Sequence, residues 1–243
     1  MMNSIIYFGA PDVGLKRTNN EDAFAVRPEW GLCVVSDGMG GAAAGELASR
    51  IFAETTLEVF ANASEGSEQE TIERVQRSFV LANERILKHV SENPEHKGMG
   101  CTAEVVAFCG ASFVLGHMGD SRTYRLRNGQ LKQLSNDHSL VQEQLDQGVI
   151  TPAEARSHPM RNVILRAVGV KESVALDLLR GKVLIGDLFM LCSDGLTDMV
   201  DDDSITEVLR SSDTLPKKTS TLIELAKAAG GRDNITVALA QVD

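Results

Sequence analysis

The stretch LCVVSDG at residues 32–38 decides the fold. Its first four residues are apolar and suit a buried strand, but the Asp-Gly pair at its end does not. An aspartate beside a core is costly unless a partner compensates its charge, and the neighbouring glycine lets other groups approach the backbone closely. The stretch therefore predicts a strand that carries a functional carboxylate, Asp37, to the edge of the core.

The same arrangement of an apolar run beside an aspartate occurs three more times. It is found in LCSDG at 191–195 with Asp194, in VLGHMGD at 114–120 with Asp120, and in GRDN at 231–234, where Asp233 precedes the last apolar run. One Asp-Gly pair alone is above all a turn signal. Converging carboxylates repel each other by on the order of 4 kcal/mol per pair at about 4 Å and an effective dielectric of about 20. A shared site would therefore take up protons or bind cations, and its oxygen ligands suit Mg²⁺ or Mn²⁺.

The composition is that of a globular protein that does not bind polyanions. The chain has 243 residues, of which 43% are hydrophobic, and its net charge is −10. Nucleic acids and anionic membranes require a basic surface, so neither is an expected partner. The sequence has no basic segment followed by a long apolar one at its beginning and no run suited to spanning a bilayer, so a cytoplasmic protein without membrane insertion is expected.

The apolar runs predict one domain over residues 1–243, of the α+β class, with antiparallel sheets. Strands arrive in series joined by short turns and helices arrive in pairs, which indicates layers rather than alternating βα units. Strands are predicted at 5–10, 23–26, 32–36, 103–108, 113–117, 123–126, 131–134, 175–179, 188–192 and 235–240. Helices are predicted at 43–62, along the face from Ile72 to Val90, at 203–210 with Asp203 as the cap, and at 215–229. Asn128-Gly129 predicts a tight hairpin.

Several ordered motifs make the chain similar to a known family. It resembles the metal-dependent PPM phosphatases, the type 2C class of serine/threonine phosphatases, in their bacterial form. The matching segments are KRTNNED at 16–22, VSDGMGG at 35–41, GMGCT at 98–102, GDSR at 119–122, DHSL at 137–140, LCSDGL at 191–196 and GRDNIT at 231–236. The resemblance implies a four-layer α-β-β-α sandwich, with two central antiparallel β-sheets flanked by helix pairs and a flap at about 137–171.

The resemblance also implies the inner metal ligands. Asp37 is expected to bridge two divalent cations, Mn²⁺ or Mg²⁺. The carbonyl of Gly38 is expected to bind one of them, and Asp194 and Asp233 the other. A water or hydroxide between the two cations would attack phosphorus in line.

Further positions take outer roles by the same resemblance. Glu21 and Asp22 are expected around the metals, mostly orienting bound water, and Asp120 is expected to hold a third metal together with Asp194. Arg17 is expected to grip the substrate phosphate with its two-pronged guanidinium. Met39 stands where eukaryotic relatives commonly have a histidine thought to protonate the leaving group, so the identity of the general acid stays open.

The leading hypothesis is hydrolysis of phosphoserine and phosphothreonine in proteins by a monomeric enzyme. The implied partners are phosphorylated proteins, among them a bacterial serine/threonine kinase and its forkhead-associated-domain target. Two alternatives remain, a non-catalytic metal-stabilised regulatory relative and a phosphatase of small phosphate esters. The presence of Asp37, Asp194 and Asp233 together favours an active enzyme.

Overall fold

Two antiparallel sheets stack face to face in this protein. The structure, a computed structural model, describes residues 4–61 and 66–243. In the first sheet the order is β1-β11-β10-β7-β8, and in the second it is β2-β3-β5-β6-β9, with β4 paired to β3. The first sheet contains Ile5–Asp12, Ile235–Val242, Leu188–Cys192, Arg122–Arg127 and Gln130–Gln133 in that order. The second contains Asp22–Arg27, Leu32–Met39, Ala103–Cys109, Ser112–Met118 and Asp177–Lys182, with β4 at Gly100–Cys101.

Most of the helices cover the outer faces of the sheets. α1 (Ala42–Ala61) and α2 (Glu68–Glu92) lie on the second sheet. α1 corresponds to the helix predicted at 43–62, whose last residue, Asn62, lies outside the described residues. On the side of the first sheet the chain forms α5 (Asp194–Thr197), α6 (Asp202–Arg210) and α7 (Leu215–Ala228). The segment 137–171, which the sequence analysis predicts to be a flap, contains α3 (Leu140–Asp146) and α4 (Pro152–Ser157). Two 3₁₀ helices occupy Pro28–Trp30 and Pro94–His96.

Three apolar clusters hold the layers together, as the antiparallel α+β prediction requires. Phe52 of α1 and Phe79 of α2 pack on the outer face of the second sheet, against Leu32, Val34 and Val105. Ile205 of α6 and Leu222 of α7 pack on the outer face of the first sheet, against Met190 and Leu239. The inner faces of both sheets meet in a third cluster, among them Val35, Leu115, Phe189, Leu191 and Ala238. The order of layers is therefore α-β-β-α.

Two local predictions were wrong. The strand predicted at 175–179 lies at Asp177–Lys182, because its register is set by pairing with β6, where Leu115 faces Leu179. Asp203 is not the cap of α6. The cap is Asp201, whose side chain accepts a hydrogen bond of 2.8 Å from the backbone amide of Ser204.

Neither described part of the chain contains a helix with the length and apolar character needed to cross a membrane.

Candidate metal centre

The strand that carries Asp37 is fixed by its neighbours on both sides. Residues 32–36 are all buried, and Asp37 itself faces Asp22 across the β2–β3 pair. On the other side, the backbone amide of Asp37 donates to Oγ1 of Thr102 (2.8 Å), and the Thr102 amide donates to the Asp37 carbonyl (2.8 Å). The apolar strand predicted from LCVVSDG therefore delivers one carboxylate to a defined place beside a second one.

Two further carboxylates reach the same end of the sandwich from the first sheet. Asp194 is the first residue of α5, two residues after β10 ends, and Asp233 lies two residues before β11 begins. Because β10 and β11 are paired, with Cys192 facing Val237, the residues that extend these strands stay close together. Asp120 follows β6 of the second sheet and completes the group.

The electrostatics of Asp37 and Asp194 show that the carboxylates face each other. Burial raises the pKa of Asp37 well above its ordinary value, and the charges of Asp22, Asp194, Asp120 and Asp233 raise it further. Burial likewise raises the pKa of Asp194, followed by the effects of Asp120, Asp198, Asp233 and Asp22. Such mutual shifts arise only when acidic groups share one poorly solvated site.

The pKa values of Asp22 and Asp120, two further acids of this group, are also raised. Burial raises the pKa of Asp22 to about 6, and burial together with Asp137 raises the pKa of Asp120 to about 7. One oxygen each of Asp22, Asp120 and Asp194 is buried without a hydrogen-bond partner. Buried acceptor oxygens normally have partners, so these atoms are oriented for something that is positively charged. An all-oxygen set of this kind fits a hard divalent cation such as Mn²⁺ or Mg²⁺.

The acids are close but do not surround a single point. Among the side chains at 4–61 and 66–243, no group of three His, Cys, Asp or Glu residues is arranged as a ready-made cation site. Protein partners hold two of the acids: Ser193 Oγ donates to Asp22 Oδ2 at 2.8 Å, and Arg17 donates to Asp233 Oδ2 at 2.7 Å. These partners therefore orient Asp22 and Asp233 through one carboxylate oxygen each.

Backbone hydrogen bonds hold Gly38 and Glu21 beside the acidic group. The amide of Gly38 donates to the carbonyl of Glu21 at 3.1 Å, and the amide of Glu21 donates to the side chain of Asn234 at 2.8 Å. A methyl group on Gly38 would lie 2.0 Å from the carbonyl oxygen of Gly45, so no larger residue fits there. The side chain of Glu21 also lies against Gly45, since a Cβ at Gly45 would be 2.1 Å from Glu21 Oε2.

Arg17 stands at the edge of an open cavity beside the acids. The cavity has a volume of about 530 Å³, and its walls include Arg17, Asp37, Met39 and Asp194. The side chain of Arg17 is 47% exposed, so the guanidinium can meet a ligand while its bond to Asp233 orients it. Histidine is not among the described residues that line this cavity. The structure therefore offers no imidazole at the position that Met39 occupies.

Asp198 is a member of the acidic group that the sequence analysis missed. It follows Asp194 by four residues around α5, raises the pKa of Asp120 and of Asp194, and forms an ion pair of 3.4 Å with Arg161. Residues four apart lie on the same side of a helix, so the spacing in DGLTD at 194–198 was the available signal. Arg166, another arginine of the segment 137–171, forms an ion pair of 3.2 Å with Asp177 and not with a member of the acidic group.

The fold and the site together define a metal-binding α+β sandwich whose acidic centre adjoins an arginine. The sequence model of the protein phosphatase 2C family matches residues 16–230, and the chain belongs to this family. Protein phosphatase PhpP of Streptococcus pneumoniae is 38% identical over 241 residues, which cover 96% of this chain and 95% of that protein.

Solved structures of relatives agree with the fold. The crystal structure of the Mycobacterium tuberculosis serine/threonine phosphatase PstP has a TM-score of 0.92 and 37% identity, covering 98% of this chain and 99% of that chain. The catalytic domain of PstP in complex with two manganese ions has a TM-score of 0.90 and 36% identity, again covering 98% and 99%. The predicted family and fold class are thereby confirmed.

The metal-free protein should lose stability as pH rises from 5 to 8. Folded-state pKa values of about 6 for Asp22 and about 7 for Asp120 exceed the ordinary value of 3.8, so the folded state holds more protons than the unfolded state in this window. Their stabilising contribution is complete below the ordinary value and is lost as pH rises through 6 to 7. Denaturant unfolding of chelator-treated protein should show a loss on the order of 3 kcal/mol.

Mn²⁺ should oppose this loss, because a bound cation replaces the protons. The stabilisation by Mn²⁺ should therefore be larger at pH 8 than at pH 5, and Asp120→Asn should flatten the metal-free profile. A metal-free unfolding free energy that stays constant or increases from pH 5 to 8 would contradict the shared acidic site.

Proposed function

We propose that this protein hydrolyses phosphoserine and phosphothreonine in other proteins and depends on Mn²⁺ or Mg²⁺. The observation that carries the proposal is the set of buried acids with raised pKa values and unpartnered oxygens beside an exposed arginine. Membership of the protein phosphatase 2C family and similarity to a relative that binds two manganese ions support it. When bound, two cations supply polarisation of the phosphoryl oxygens and a nucleophilic water near neutral pH.

The residues of the chain divide the remaining work. Asp37, the Gly38 carbonyl, Asp194 and Asp233 are the proposed inner ligands, because they lie at the ends of adjacent strands and carry only oxygen donors. The outer positions hold or orient water, and Asp120 together with Asp194 offers a further cation position, with Asp198 beside them. The proposed outer residues are Glu21, Asp22, Asp120 and Asp198.

Arg17 is the proposed phosphate-binding residue. Its guanidinium has five N–H donors, and the bond to Asp233 uses one of them, so others remain for phosphate oxygens. The bond to Asp233 also ties the position of the phosphate to a proposed metal ligand. Holding the substrate in a fixed orientation relative to the nucleophile is a major part of the catalysis of phosphoryl transfer.

Replacing Arg17 tests this assignment. Arg17→Met should lower kcat/KM for a phosphothreonine peptide with Mn²⁺ by about a hundredfold, and Arg17→Lys should recover only part, since an ammonium cannot make the bidentate contact. Phosphate release over a range of peptide concentrations gives both constants. Arg180→Met is the matched control, because it removes an exposed ion pair with Glu68 of 3.1 Å. Equal kcat/KM for the Arg17 and Arg180 variants would refute the role of Arg17.

The substrate class separates the leading proposal from its alternatives. A protein phosphatase should turn over phosphothreonine and phosphoserine peptides faster than free sugar phosphates or nucleotides, whereas a phosphatase of small esters should show the reverse order. A non-catalytic relative should bind Mn²⁺ and release no phosphate from either. These three outcomes are read from one assay with the same preparation of protein.

The biological setting follows from the proposed reaction. We propose a monomeric cytoplasmic enzyme formed by one catalytic domain over residues 1–243, with the flap at 137–171 beside the substrate. Its partners would be phosphorylated proteins, a serine/threonine kinase and the forkhead-associated-domain target of that kinase. Phosphoproteomics of cells that lack the gene would identify the substrates.

A further inference from the structure

A chain of buried polar contacts joins the two sheets to the beginning of the flap. Glu104 on β5 faces His117 on β6, and both side chains are fully buried. The carboxylate of Glu104 contacts Nδ1 of His117 with one oxygen and accepts from the hydroxyl of Thr123 on β7 with the other. Since β7 belongs to the first sheet, this carboxylate bridges the sandwich. Burying such groups is costly, so their retention calls for a specific purpose.

His117 supports a second histidine at the start of the flap. Nε2 of His117 donates to the carbonyl of Asn136 at 2.9 Å, and its ring lies against the ring of His138, with centroids 4.5 Å apart. Burial lowers the pKa of His117, but the stronger combined effect of Glu104, its contact partner, and its other neighbours raises that pKa to about 9. The pKa of His138 is lowered by burial and by His117. The two rings thus favour different protonation states, as adjacent histidines in a buried site must.

His138 holds Gly119 from both sides of the peptide. The backbone amide of His138 donates to the Gly119 carbonyl at 2.7 Å, and the Gly119 amide donates to Nδ1 of His138 at 3.2 Å. An amide N–H always donates, so Nδ1 carries no proton and the ring proton is on Nε2. That nitrogen lies 3.1 Å from Oδ2 of Asp177 on β9, which can accept its proton, and 3.2 Å from Nη1 of Arg166.

The residue that His138 holds directly precedes Asp120. Gly119 has a left-handed φ of +118°, and a Cβ there would lie 2.7 Å from Thr102. Any residue other than glycine would therefore be both strained and crowded at this turn. Thr102 is the same residue that brackets the backbone of Asp37. Oδ1 of Asp120 is buried without a partner, so its direction depends on the backbone that carries it.

We propose that His138 is a positioning residue for Asp120, acting through the Gly119 peptide and supported from behind by the Glu104–His117 pair. The inference rests on the proposed metal-dependent function, because it concerns the cation position that Asp120 serves. His138 is not among the described residues that line the cavity beside Arg17, so its effect passes through the Gly119 peptide. Its effect is to hold one carboxylate at the angle that cation binding requires, as supporting hydrogen bonds do for metal ligands generally.

Two near-isosteric variants separate this role from simple packing. In His138→Asn the amide oxygen takes the place of Nδ1 and can still accept from Gly119, whereas in His138→Gln the amide group takes the place of Nε2 and faces Asp177 and Arg166 instead of Gly119. Both variants lose the ring and its stacking equally. Calorimetric titration of the metal-free proteins with Mn²⁺ should therefore show affinity within about twofold of wild type for Asn and about tenfold weaker for Gln.

A double-mutant cycle assigns the effect to Asp120. Asp120→Asn defines the part of Mn²⁺ binding that needs this carboxylate, and adding His138→Gln to it should cause no further loss. His158→Gln is the matched control, since it removes a bond of the same type and length, 3.2 Å from the Met160 amide to Nδ1 of His158. It should leave Mn²⁺ binding unchanged.

The outcomes are distinct. Wild type that binds Mn²⁺ while the Asn and Gln variants behave alike, or additive losses in the double variant, overturns the inference and leaves the proposed function intact. Wild type that binds no Mn²⁺ overturns the proposed function and the inference with it. Nitrogen-15 spectra of the wild-type histidines provide a measurement that needs no variant: His138 must show an unprotonated Nδ1 and a protonated Nε2, and the opposite tautomer overturns the inference.

Discussion

Asp37→Asn should abolish phosphate release and at the same time make the metal-free protein more stable. Asp37 is a proposed inner metal ligand, and a carboxamide cannot supply the negative charge of that carboxylate, so several kcal/mol of transition-state stabilisation should be lost, which corresponds to about a thousandfold in kcat/KM. In the metal-free protein, Asp37 is half-buried and its desolvation and four neighbouring acids raise its pKa, so it costs stability at neutral pH. Replacing it with a neutral amide should therefore raise the unfolding free energy at neutral pH.

The opposite signs of these two effects make the experiment decisive. Phosphate release from a phosphothreonine peptide and denaturant unfolding with and without Mn²⁺ give all the required values. Asp203→Asn is the matched control, because Asp203 is exposed in the first turn of α6 and is not the cap. It should change neither quantity. An Asp37 variant that retains activity, or one that is less stable than wild type without metal, would show that Asp37 is not at the centre of a repelling acidic cluster.

The parts of this molecule that sequence alone could predict are those with a strong local signal. The strand before Asp37 was found because its residues are continuously apolar, and the hairpin at Asn128-Gly129 because these residues readily adopt the positive φ that they show here, 51° and 73°. The convergence of Asp37, Asp194, Asp120 and Asp233 was anticipated because each adjoins an apolar run. Their proposed roles as ligands stay predictions.

The features that were missed depend on contacts between distant segments. α5 has four residues, so its helical period does not stand out in the sequence, and the spacing of Asp194 and Asp198 was too weak a signal to place them side by side. The roles of Asn234 and His138 arise only once separate strands are side by side: Asn234 donates to the carbonyls of Val13 (3.0 Å) and Asn19 (2.9 Å). Choosing among three consecutive aspartates for the cap of α6 likewise required the path of the backbone. Tertiary structure, rather than local preference, decides such details.

Gly195→Ala should separate the two halves of the acidic site without touching a proposed ligand. A Cβ at this position would lie 1.9 Å from the carbonyl oxygen of Asn234 and 2.9 Å from its carbonyl carbon. Both are backbone atoms at the start of β11 and cannot turn aside as a side chain would. The methyl group therefore pushes α5, which begins with Asp194, away from the segment that carries Asp233.

The expected result is a loss of both stability and activity. Overpacking of this kind costs about 1–3 kcal/mol, and a shift of about 1 Å between groups that act together costs about a hundredfold in rate. Denaturant unfolding and kcat/KM at saturating Mn²⁺ measure the two effects. Gly66→Ala is the matched control, because its Cβ would meet the mobile end of Arg74 at 2.8 Å, which can move away at little cost. Near-normal activity in Gly195→Ala would mean that α5 and β11 can move apart freely, and the close spacing of Asp194 and Asp233 would then be unimportant for the reaction.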